Sequence, residues 1–260
     1  MKVVVTAGGT VEPIDEVRSI SNRSTGRLAK AIAESLLALG GDSIEELYYL
    51  HGPGAAAPED PRVRLVAVGR VRELEAELGN LLRANEVGAI IHAMAVSDFS
   101  VSGVATMRQM ARAAARAVSL QPAAVTAGER ALSGLIARAL RSSPRIRVAK
   151  LSSDLDAPIL FLDRIPKVIA SLRAAAPRAA IVGFKLLAEA SEAELIAAGQ
   201  RLLESTDCTY VFANDARDSF GRGYAGFLLG RGGARERLEG LQGIARRIAE
   251  AALAGAGVAP

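Results

Sequence analysis

The sequence predicts an α/β fold in which helices cover both faces of a doubly wound, mostly parallel sheet. Short apolar runs of strand length alternate with amphipathic helical segments along most of the 260 residues, which is the pattern of repeated strand–helix–strand units. The first run, residues 2–6, is continuously β-branched after Lys2, as expected for a strand buried on both faces. Ligands of such sheets bind beyond the carboxyl ends of the strands.

The first part of the chain supplies these elements in regular order. Strands are predicted over residues 2–6, 48–50, 63–68 and 89–94, and helices over residues 27–39 and 71–85. The first helix is expected to stop at Gly40-Gly41, because glycine readily adopts the left-handed conformation that closes helices.

Residues 100–147 interrupt the alternation. The segment is rich in Ala and Arg, with helical patterns over residues 107–119 and 127–141. We therefore expect a helical insert, which could be a lid, an extra helical pair or a dimerisation arm, within a single α/β domain of residues 1–260. The alternation then resumes with helices over residues 165–175, 191–204 and 235–254 and strands over residues 180–184, 210–213 and 224–229.

The composition disfavours several classes of function. Lys and Arg number 32 against 28 Asp and Glu, with six Phe, four Tyr and no Trp, whereas a nucleic-acid-binding protein shows clustered basic charge. One cysteine, Cys208, and two histidines argue against a disulfide framework and against a metal site built on these residues. No leader-like N-terminus or apolar run of membrane-spanning length is evident, so we expect a cytoplasmic protein that binds neither nucleic acid nor membrane.

Residues 15–26 carry the strongest functional signal. They follow a strand and a glycine turn, and they place Asn22, Ser24, Thr25 and Gly26 at a predicted helix start. Unpaired N–H groups and the helix dipole attract phosphate or carboxylate there, and the Asn22 amide adds a neutral donor and acceptor. These features indicate a site that handles an acyl or phosphoryl group, although Asn22 on local grounds could also be a helix cap.

Two later residues stand where ligands of this sheet would bind. Asp98 follows the predicted strand at residues 89–94, so its carboxylate could bind a ribose hydroxyl or Mg²⁺, or cap a helix or a turn. Lys150 is a lone cation in a stretch of small and apolar residues. It could contact a triphosphate or a phosphoryl transition state, but taken alone a surface lysine is the simpler interpretation.

Known nucleotide fingerprints are missing. Gly221, Gly223 and Gly226 have the spacing GxGxxG but precede a predicted strand, whereas the dinucleotide fingerprint lies between a strand and a helix. There is no Walker A sequence. We interpret the stretch as a glycine loop.

Together these pieces resemble the phosphopantothenate–cysteine ligase family, also called phosphopantothenoylcysteine synthetase. Residues 6–15 and 17–26 are similar to its N-terminal signature. Five later segments occur in the family's order, namely residues 95–99, 150–154, 164–169, 182–187 and 213–215. The chain resembles the free-standing bacterial form more than the half that is fused to a decarboxylase.

This resemblance implies a Rossmann-like fold, a homodimer with a flap over the substrate, and a reaction of coenzyme A biosynthesis. The carboxylate of 4′-phosphopantothenate would attack the α-phosphate of CTP, or of ATP, with Mg²⁺ present. Pyrophosphate leaves, and L-cysteine then attacks the acyl-nucleotide to give 4′-phosphopantothenoylcysteine and CMP.

The resemblance also implies roles for particular residues. Asn22 and Lys150 would be catalytic, with Asn22 hydrogen-bonded to the acyl carbonyl, and Ser24, Thr25 and Gly26 would seat a substrate phosphate or acyl group. The nucleotide would be bound by His92, Ala93, Met94, Asp98, Lys150, Pro166, Lys167, Val168, Ile169, Phe184 and Lys185. Asp98 is also the weak candidate for a metal ligand, and His92 could instead be a packed strand residue.

The sequence departs from the family's pattern in two places. Fused members carry basic residues on the helix before Ala213-Asn214-Asp215, whereas residues 200–206 here contain no lysine, so Arg201 or Lys185 would have to substitute. The link formed by residues 100–147 is also much longer than in fused members.

Two other functions remain open. One is an NAD(P)-dependent oxidoreductase on the same kind of sheet, which the missing fingerprint and the absence of a Tyr–Lys pair at helical spacing disfavour. The other is a non-catalytic nucleotide-binding protein that has kept the fold.

Overall fold

The computed structural model describes residues 1–217 and 223–258, and the chain divides into two compact units. The main unit comprises Met1–Val11, Ser21–Ser97 and Pro166–Pro260, and the smaller unit comprises Glu12–Ile20 and Asp98–Ile165. The expected insert, residues 100–147, falls within the smaller unit. In the described part of the chain, no helix is both long enough and apolar enough to cross a membrane.

An eight-stranded sheet forms the centre of the main unit. The strands of the chain are β1 (Lys2–Ala7), β2 (Val11–Pro13), β3 (Ser19–Ser21), β4 (Glu46–His51), β5 (Val63–Ala67), β6 (Val87–His92), β7 (Phe99–Thr106), β8 (Pro158–Arg164), β9 (Ala180–Leu187), β10 (Tyr210–Asp215), β11 (Ala225–Gly230) and β12 (Arg235–Glu239). The main sheet has the order β12-β11-β10-β9-β6-β1-β4-β5, while β2 pairs with β3 and β7 with β8. All neighbours from β5 to β10 are parallel, and β11 and β12 are antiparallel. The predicted doubly wound, mostly parallel sheet is confirmed.

Helices cover both faces of this sheet. The helices of the chain are α1 (Arg27–Gly40), α2 (Val71–Ala84), α3 (Met107–Leu120), α4 (Ala123–Thr126), α5 (Glu129–Ser142), α6 (Ile169–Ala175), α7 (Glu192–Thr206) and α8 (Leu241–Gly255). Successive side chains of a strand point to opposite faces. Accordingly, Phe212 of β10 lies in the core formed with α1 and α8, whereas Ala213 packs with Leu195 of α7.

The central strands are apolar because both of their faces are covered. Val3, Val4 and Val5 of β1 and Ile90 and Ile91 of β6 are fully buried. Stiff β-branched side chains pack well on such a pleated surface, which explains the run that opens the sequence.

The predicted start of the last helix, residue 235, is wrong. Residues 235–239 form the edge strand β12, which pairs with β11, and the helix begins at Leu241. Gly240 separates the two elements with a φ of 74°, a left-handed conformation that glycine adopts without strain.

The predicted start of the helix at residue 165 is also wrong, since α6 begins at Ile169. Ile165 precedes Pro166, and the residue before a proline is pushed away from helical backbone angles. The other predicted helices and strands are confirmed, with ends that differ by up to three residues. Of the glycine loop, Gly221 lies outside the described residues, and the chain after Gly223 enters β11 rather than a helix.

The smaller unit combines a two-stranded ribbon with helices. Its helices α3 and α5 confirm the two helical patterns predicted between residues 100 and 147, but the segment opens with a strand, β7, that was not predicted. β7 pairs with β8, which lies beyond the insert, and a register shift precedes Gly103, whose φ is 148°. Because β7 and β8 are far apart in sequence, their pairing leaves no local sequence pattern from which it could be predicted.

Candidate functional site

The carboxyl ends of the parallel strands lie along one edge of the main sheet. β1 has β4 on one side and β6 on the other, so the winding direction reverses between β1 and β6, and a crevice opens at such a reversal. The segments after these two strands are tied together. Ala95 N–H donates to the Gly8 carbonyl over 2.8 Å, and Thr10 N–H donates to the Ala95 carbonyl over 3.2 Å.

Close backbone packing at this edge requires glycine. A Cβ atom on Gly9 would lie 2.3 Å from the carbonyl oxygen of Asn22, and one on Gly52 would lie 2.1 Å from the carbonyl oxygen of Gly9. Gly8 adopts a φ of 77°. The glycine turn after β1 therefore lets the chain at Asn22 pass directly over the end of the sheet.

Asn22 is held at this edge but does not cap α1. Its Nδ2 donates to the carbonyl of Val96 over 3.0 Å, and the residue is otherwise exposed. The N-cap position of α1 belongs to Gly26, and no side chain caps the helix. The interpretation of Asn22 as a helix cap is therefore wrong, and the Asn22 amide faces the end of β6 instead.

A cleft of about 170 Å³ lies at the start of α1, and we call it the α1 cleft. It is lined by Arg23, Ser24, Thr25, Gly26, Arg27, Leu28, Ala29, Ala93, Met94, Ala95, Phe184, Leu186, Asn214 and Tyr224. Six of these residues were predicted for the site. They come from three segments that are distant in sequence, namely residues 24–26, residues 93–94 and Phe184 on β9. Arg23, Arg27 and Tyr224 were missed, although the two arginines flank the Ser24–Gly26 motif and could have been noticed as cations beside an anion site.

His92 lies beneath this edge rather than on it. It is 6% exposed, and its Nδ1 is 3.0 Å from the Thr6 hydroxyl, which also accepts the N–H of Met94 over 3.2 Å. Burial lowers the pKa of His92 to about 4, because an apolar interior disfavours the charged imidazolium. His92 is therefore neutral at physiological pH and braces the turn after β6.

A second and larger cleft, of about 840 Å³, lies on the other face of the sheet, and we call it the α7 cleft. Lys167, Lys185 and Arg201 line it together with Glu189 and Glu194, between α6, the end of β9 and α7. Arg201 and Lys185, the two residues that could replace the missing basic positions, thus share one cleft.

The residues predicted to bind the nucleotide are divided between these places. Phe184 and Lys185 are neighbours on β9, so their side chains point to opposite faces, one into the α1 cleft and the other into the α7 cleft. Val168 and Ile169 are buried, while Pro166 is exposed. Sequence order alone could not separate the two faces.

The smaller unit contains the remaining two predicted residues. Asp98 is exposed, and its carbonyl accepts the N–H of Ile165 over 3.0 Å. Lys150 is exposed beside the buried Leu151. Among residues 1–217 and 223–258 no cluster of three or more His, Cys, Asp or Glu side chains could hold a metal ion, so a lone Asp98 does not form a metal site by itself.

The fold and the glycine-packed crevice place the chain among doubly wound α/β proteins. More particularly, residues 1–127 match the family model of the DNA/pantothenate metabolism flavoprotein C-terminal domain. The predicted resemblance to phosphopantothenate–cysteine ligases is thereby confirmed for the N-terminal part of the chain, which carries the Asn22 and Asp98 motifs.

Curated relatives extend this likeness. The coenzyme A biosynthesis bifunctional protein CoaBC of Mycolicibacterium smegmatis is 33% identical over 108 residues, which is 42% of this chain and 25% of that protein. The protein of the same name from Methanocaldococcus jannaschii is 28% identical over 225 residues, 86% of this chain and 43% of its own length. The chain thus spans less than half the length of these two relatives.

Solved structures agree with the fold. The DNA/pantothenate metabolism flavoprotein from Streptococcus pneumoniae superposes with a TM-score of 0.74 at 26% identity, covering 96% of this chain and 97% of that one. A Cab2 variant in complex with phosphopantothenate-cysteine superposes with a TM-score of 0.66 at 18% identity, covering 98% and 86%. The predicted Rossmann-like α/β fold is confirmed.

Proposed function

We propose that this protein is a nucleotide-dependent ligase that joins 4′-phosphopantothenate to L-cysteine in coenzyme A biosynthesis, with CTP as the nucleotide. One observation carries the proposal: Ser24, Thr25 and Gly26 line the same cleft as Ala93 and Met94. The Asn22 amide donates to the carbonyl of Val96, which follows Met94 by two residues. The match of residues 1–127 to the flavoprotein C-terminal domain supports the same function.

The first step transfers a nucleotidyl group. A carboxylate oxygen of 4′-phosphopantothenate attacks the α-phosphorus of CTP, the bond between the α-phosphorus and the bridging oxygen breaks, and pyrophosphate leaves with that oxygen. Both reactants are anions, so fixed positive charge is needed to hold them together and to stabilise the transition state. We assign this role to Lys150.

The second step forms the amide. The cysteine nitrogen attacks the acyl carbon of the acyl-cytidylate, the acyl C–O bond breaks, CMP leaves, and the amine loses a proton. A donor fixed near the acyl oxygen stabilises the charge that develops there. Asn22 suits this task because the Val96 carbonyl fixes its amide.

The α1 cleft suits a phosphate or acyl group. Arg23 and Arg27 supply positive charge, α1 has no acidic residue in its first turn, and the unpaired N–H groups of a helix start favour an anion. We assign Ser24, Thr25 and Gly26 to this group.

The α7 cleft suits a polyphosphate. Its volume, about 840 Å³, is that of a small-molecule site, and it contains three cations, Lys167, Lys185 and Arg201, beside Glu189 and Glu194. Lys is a point charge and Arg can bind phosphate bidentately. Whether CTP or ATP binds depends on contacts to the base, which would lie beside these cations in the α7 cleft. Ala93, Met94 and Phe184 line the α1 cleft instead, so we assign them to the substrate group bound there.

Mg²⁺ would accompany the triphosphate rather than occupy a protein site. The described residues offer no cluster of ligands for a metal ion, and Mg²⁺ commonly binds one or two carboxylates together with substrate phosphates. Asp98 is the carboxylate that we assign to it. We also propose that the chain forms a homodimer and acts in the cytoplasm.

Pyrophosphate release tests this function. The full chain is mixed with 4′-phosphopantothenate, cysteine, Mg²⁺ and either CTP or ATP, and pyrophosphate is followed over time. We expect release with one of the two nucleotides and none when 4′-phosphopantothenate is omitted. Tight binding of NADPH without pyrophosphate would support an oxidoreductase, and nucleotide binding without pyrophosphate would support a non-catalytic protein.

A further inference from the structure

Lys150 lies in a segment that has no regular structure of its own. Residues 147–157 form neither helix nor strand, so no helix or sheet hydrogen bonds fix the backbone that carries the long, flexible lysine side chain. A fixed charge stabilises a transition state best when its position is set before the reaction. Something else in the smaller unit must therefore hold this backbone.

The loop at residues 15–18 holds it from both sides. Leu151 N–H donates to Asp15 Oδ2 over 3.0 Å, and Glu16 N–H donates to the Ala149 carbonyl over 2.9 Å. Lys150 thus lies between two residues that are each hydrogen-bonded to this loop. Arg18 adds a third contact, because its Nη1 donates to the Leu151 carbonyl over 3.3 Å.

Asp15 is the centre of this arrangement. Its side chain has no exposed surface, and Oδ1 accepts the N–H groups of Val17 and Arg18 over 2.8 and 2.7 Å. Oδ2 accepts the N–H of Leu151, and Arg18 Nη1 lies 3.4 Å from it. One buried carboxylate thus orders its own loop with one oxygen and the lysine segment with the other.

We propose that Asp15 is the positioning residue for Lys150, the cation that contacts the triphosphate in the proposed ligase reaction. Asp15 itself touches no reacting atom. It binds the backbone directly after Lys150, at the Leu151 N–H, and it orders the loop whose Glu16 N–H holds the Ala149 carbonyl directly before Lys150. The catalytic consequence of this inference rests on the proposed function. The hydrogen bonds between Asp15 and the lysine segment do not depend on that function.

Ionisation of Asp15 agrees with this role. Backbone hydrogen bonds, that from Leu151 first, hold the pKa of the Asp15 carboxyl below its usual value, because N–H donors favour the charged form. The Arg18 guanidinium, which lies against the same carboxylate, also lowers the pKa of Asp15. Asp15 is therefore fully ionised wherever the enzyme would be assayed.

The variant Asp15→Asn distinguishes the roles of the two carboxylate oxygens of Asp15. An amide can keep one carbonyl oxygen toward Val17 and Arg18, but its NH₂ group then faces the N–H of Leu151 and cannot accept it. Asp60→Asn is the matched control. Asp60 Oδ1 likewise accepts the backbone N–H of Arg62, over 2.9 Å, and Asp60 Oδ2 accepts a hydrogen bond from the guanidinium of the same arginine. Asp60 differs in belonging to the main unit.

Two measurements test the proposal on the full chain. Hydrogen exchange of the Leu151 amide is expected to be at least about tenfold faster in Asp15→Asn than in the wild type or in Asp60→Asn, as for a lost hydrogen bond. Turnover with saturating substrates is expected to fall about tenfold in Asp15→Asn, with thermal unfolding as a check on folding. In a Lys150→Gln background, Asp15→Asn is expected to change turnover by less than about twofold, because residues that act through one another are not additive.

Each other outcome contradicts the proposal in its own way. Unchanged exchange at Leu151 would show that Asp15 does not hold the segment. Faster exchange with wild-type turnover would show a purely structural contact. A full further loss in the Lys150→Gln background would show that Asp15 acts independently of Lys150. Absence of pyrophosphate with the wild-type protein would instead overturn the ligase function and with it the catalytic role, while the exchange measurement would still report on the contact.

Discussion

Two contacts that are unrelated to helix capping hold Asn22 in place. Its carbonyl is packed against Gly9, and its amide donates to Val96. The side chain is exposed on its remaining surface. A polar group that is held by the protein and still open to ligand is typical of a binding or catalytic residue.

Asn22→Ala is expected to slow amide formation by about tenfold to a thousandfold, the range for loss of one transition-state donor. Nucleotide affinity should change by less than about twofold, because the partner that we propose for Asn22 is the acyl group. Rates of amide formation and CTP affinity are measured separately. Asn85→Ala is the control, since Asn85 Nδ2 donates to the Leu81 carbonyl over 3.0 Å far from the crevice. Equal losses of affinity and rate would contradict the assigned role.

Lys150→Gln is expected to reduce turnover by at least about tenfold, because one charge contact with the transition state is lost. Lys30→Gln removes a lysine on α1 that pairs with Glu34 at the surface, 3.7 Å away, and should keep wild-type turnover. Steady-state pyrophosphate release measures both. Full activity of Lys150→Gln would transfer the role to Lys167 or Lys185.

Among the elements, the turn after β1 controls where Asn22 lies. Gly9→Ala would bring a methyl group to 2.3 Å from the Asn22 carbonyl, so the chain must shift. We expect unfolding to become easier by about 1–3 kcal/mol, as for other overpacked sites, and ligase activity to fall more than stability explains. Urea unfolding and turnover are the measurements.

The control for Gly9→Ala is Gly243→Ala. Gly243 lies in α8, and a Cβ there meets nothing within 4 Å, so the substitution should leave activity unchanged and stabilise the helix by up to about 1 kcal/mol. Equal effects of the two substitutions would show that the close approach at Gly9 is not important.

Strand β6 carries a buried neutral histidine, His92, beneath the crevice edge, and this histidine makes stability depend on pH. The pKa of His92 is about 4 in the folded chain and about 6.5 in an unfolded one. Stability is therefore complete above pH 6.5 and decreases as pH falls toward 4, by roughly 3 kcal/mol in all from this group. Urea unfolding between pH 7 and 5 should show a steeper decrease for the wild type than for His92→Asn. Identical profiles, or an imidazole that titrates near pH 6.5 by NMR, would contradict this.

How far the sequence predicts these elements depends on the range of the interactions that form them. β1 and α1 were predicted to within a residue because burial on both faces and amphipathic spacing are local patterns. β7 and β12 were missed, since each is specified by pairing with another strand rather than by its own periodicity. The predicted residues that line the α1 cleft could be picked out because their motifs lie at or beyond the carboxyl ends of predicted strands. The opposite directions of the Phe184 and Lys185 side chains were missed, because the sequence did not show which helices cover each face of β9.

At the scale of the whole molecule, the predicted residues are shared between two compact units. The main unit supplies Asn22, the α1 cleft and the α7 cleft, and the smaller unit supplies Asp98 and Lys150. The smaller unit is built from two separate stretches of chain, of which the first carries Asp15 and leads directly into Asn22.

The most direct measurement of the proposed chemistry is a single turnover without cysteine. Enzyme in excess is mixed with 4′-phosphopantothenate, Mg²⁺ and CTP labelled at the α-phosphate, and the products are separated after rapid quenching. The acyl-nucleotide mechanism predicts one equivalent of pyrophosphate per CTP consumed and a labelled acyl-cytidylate that yields CMP only after cysteine is added. Release of orthophosphate with CDP, or no reaction until cysteine is present, would contradict it.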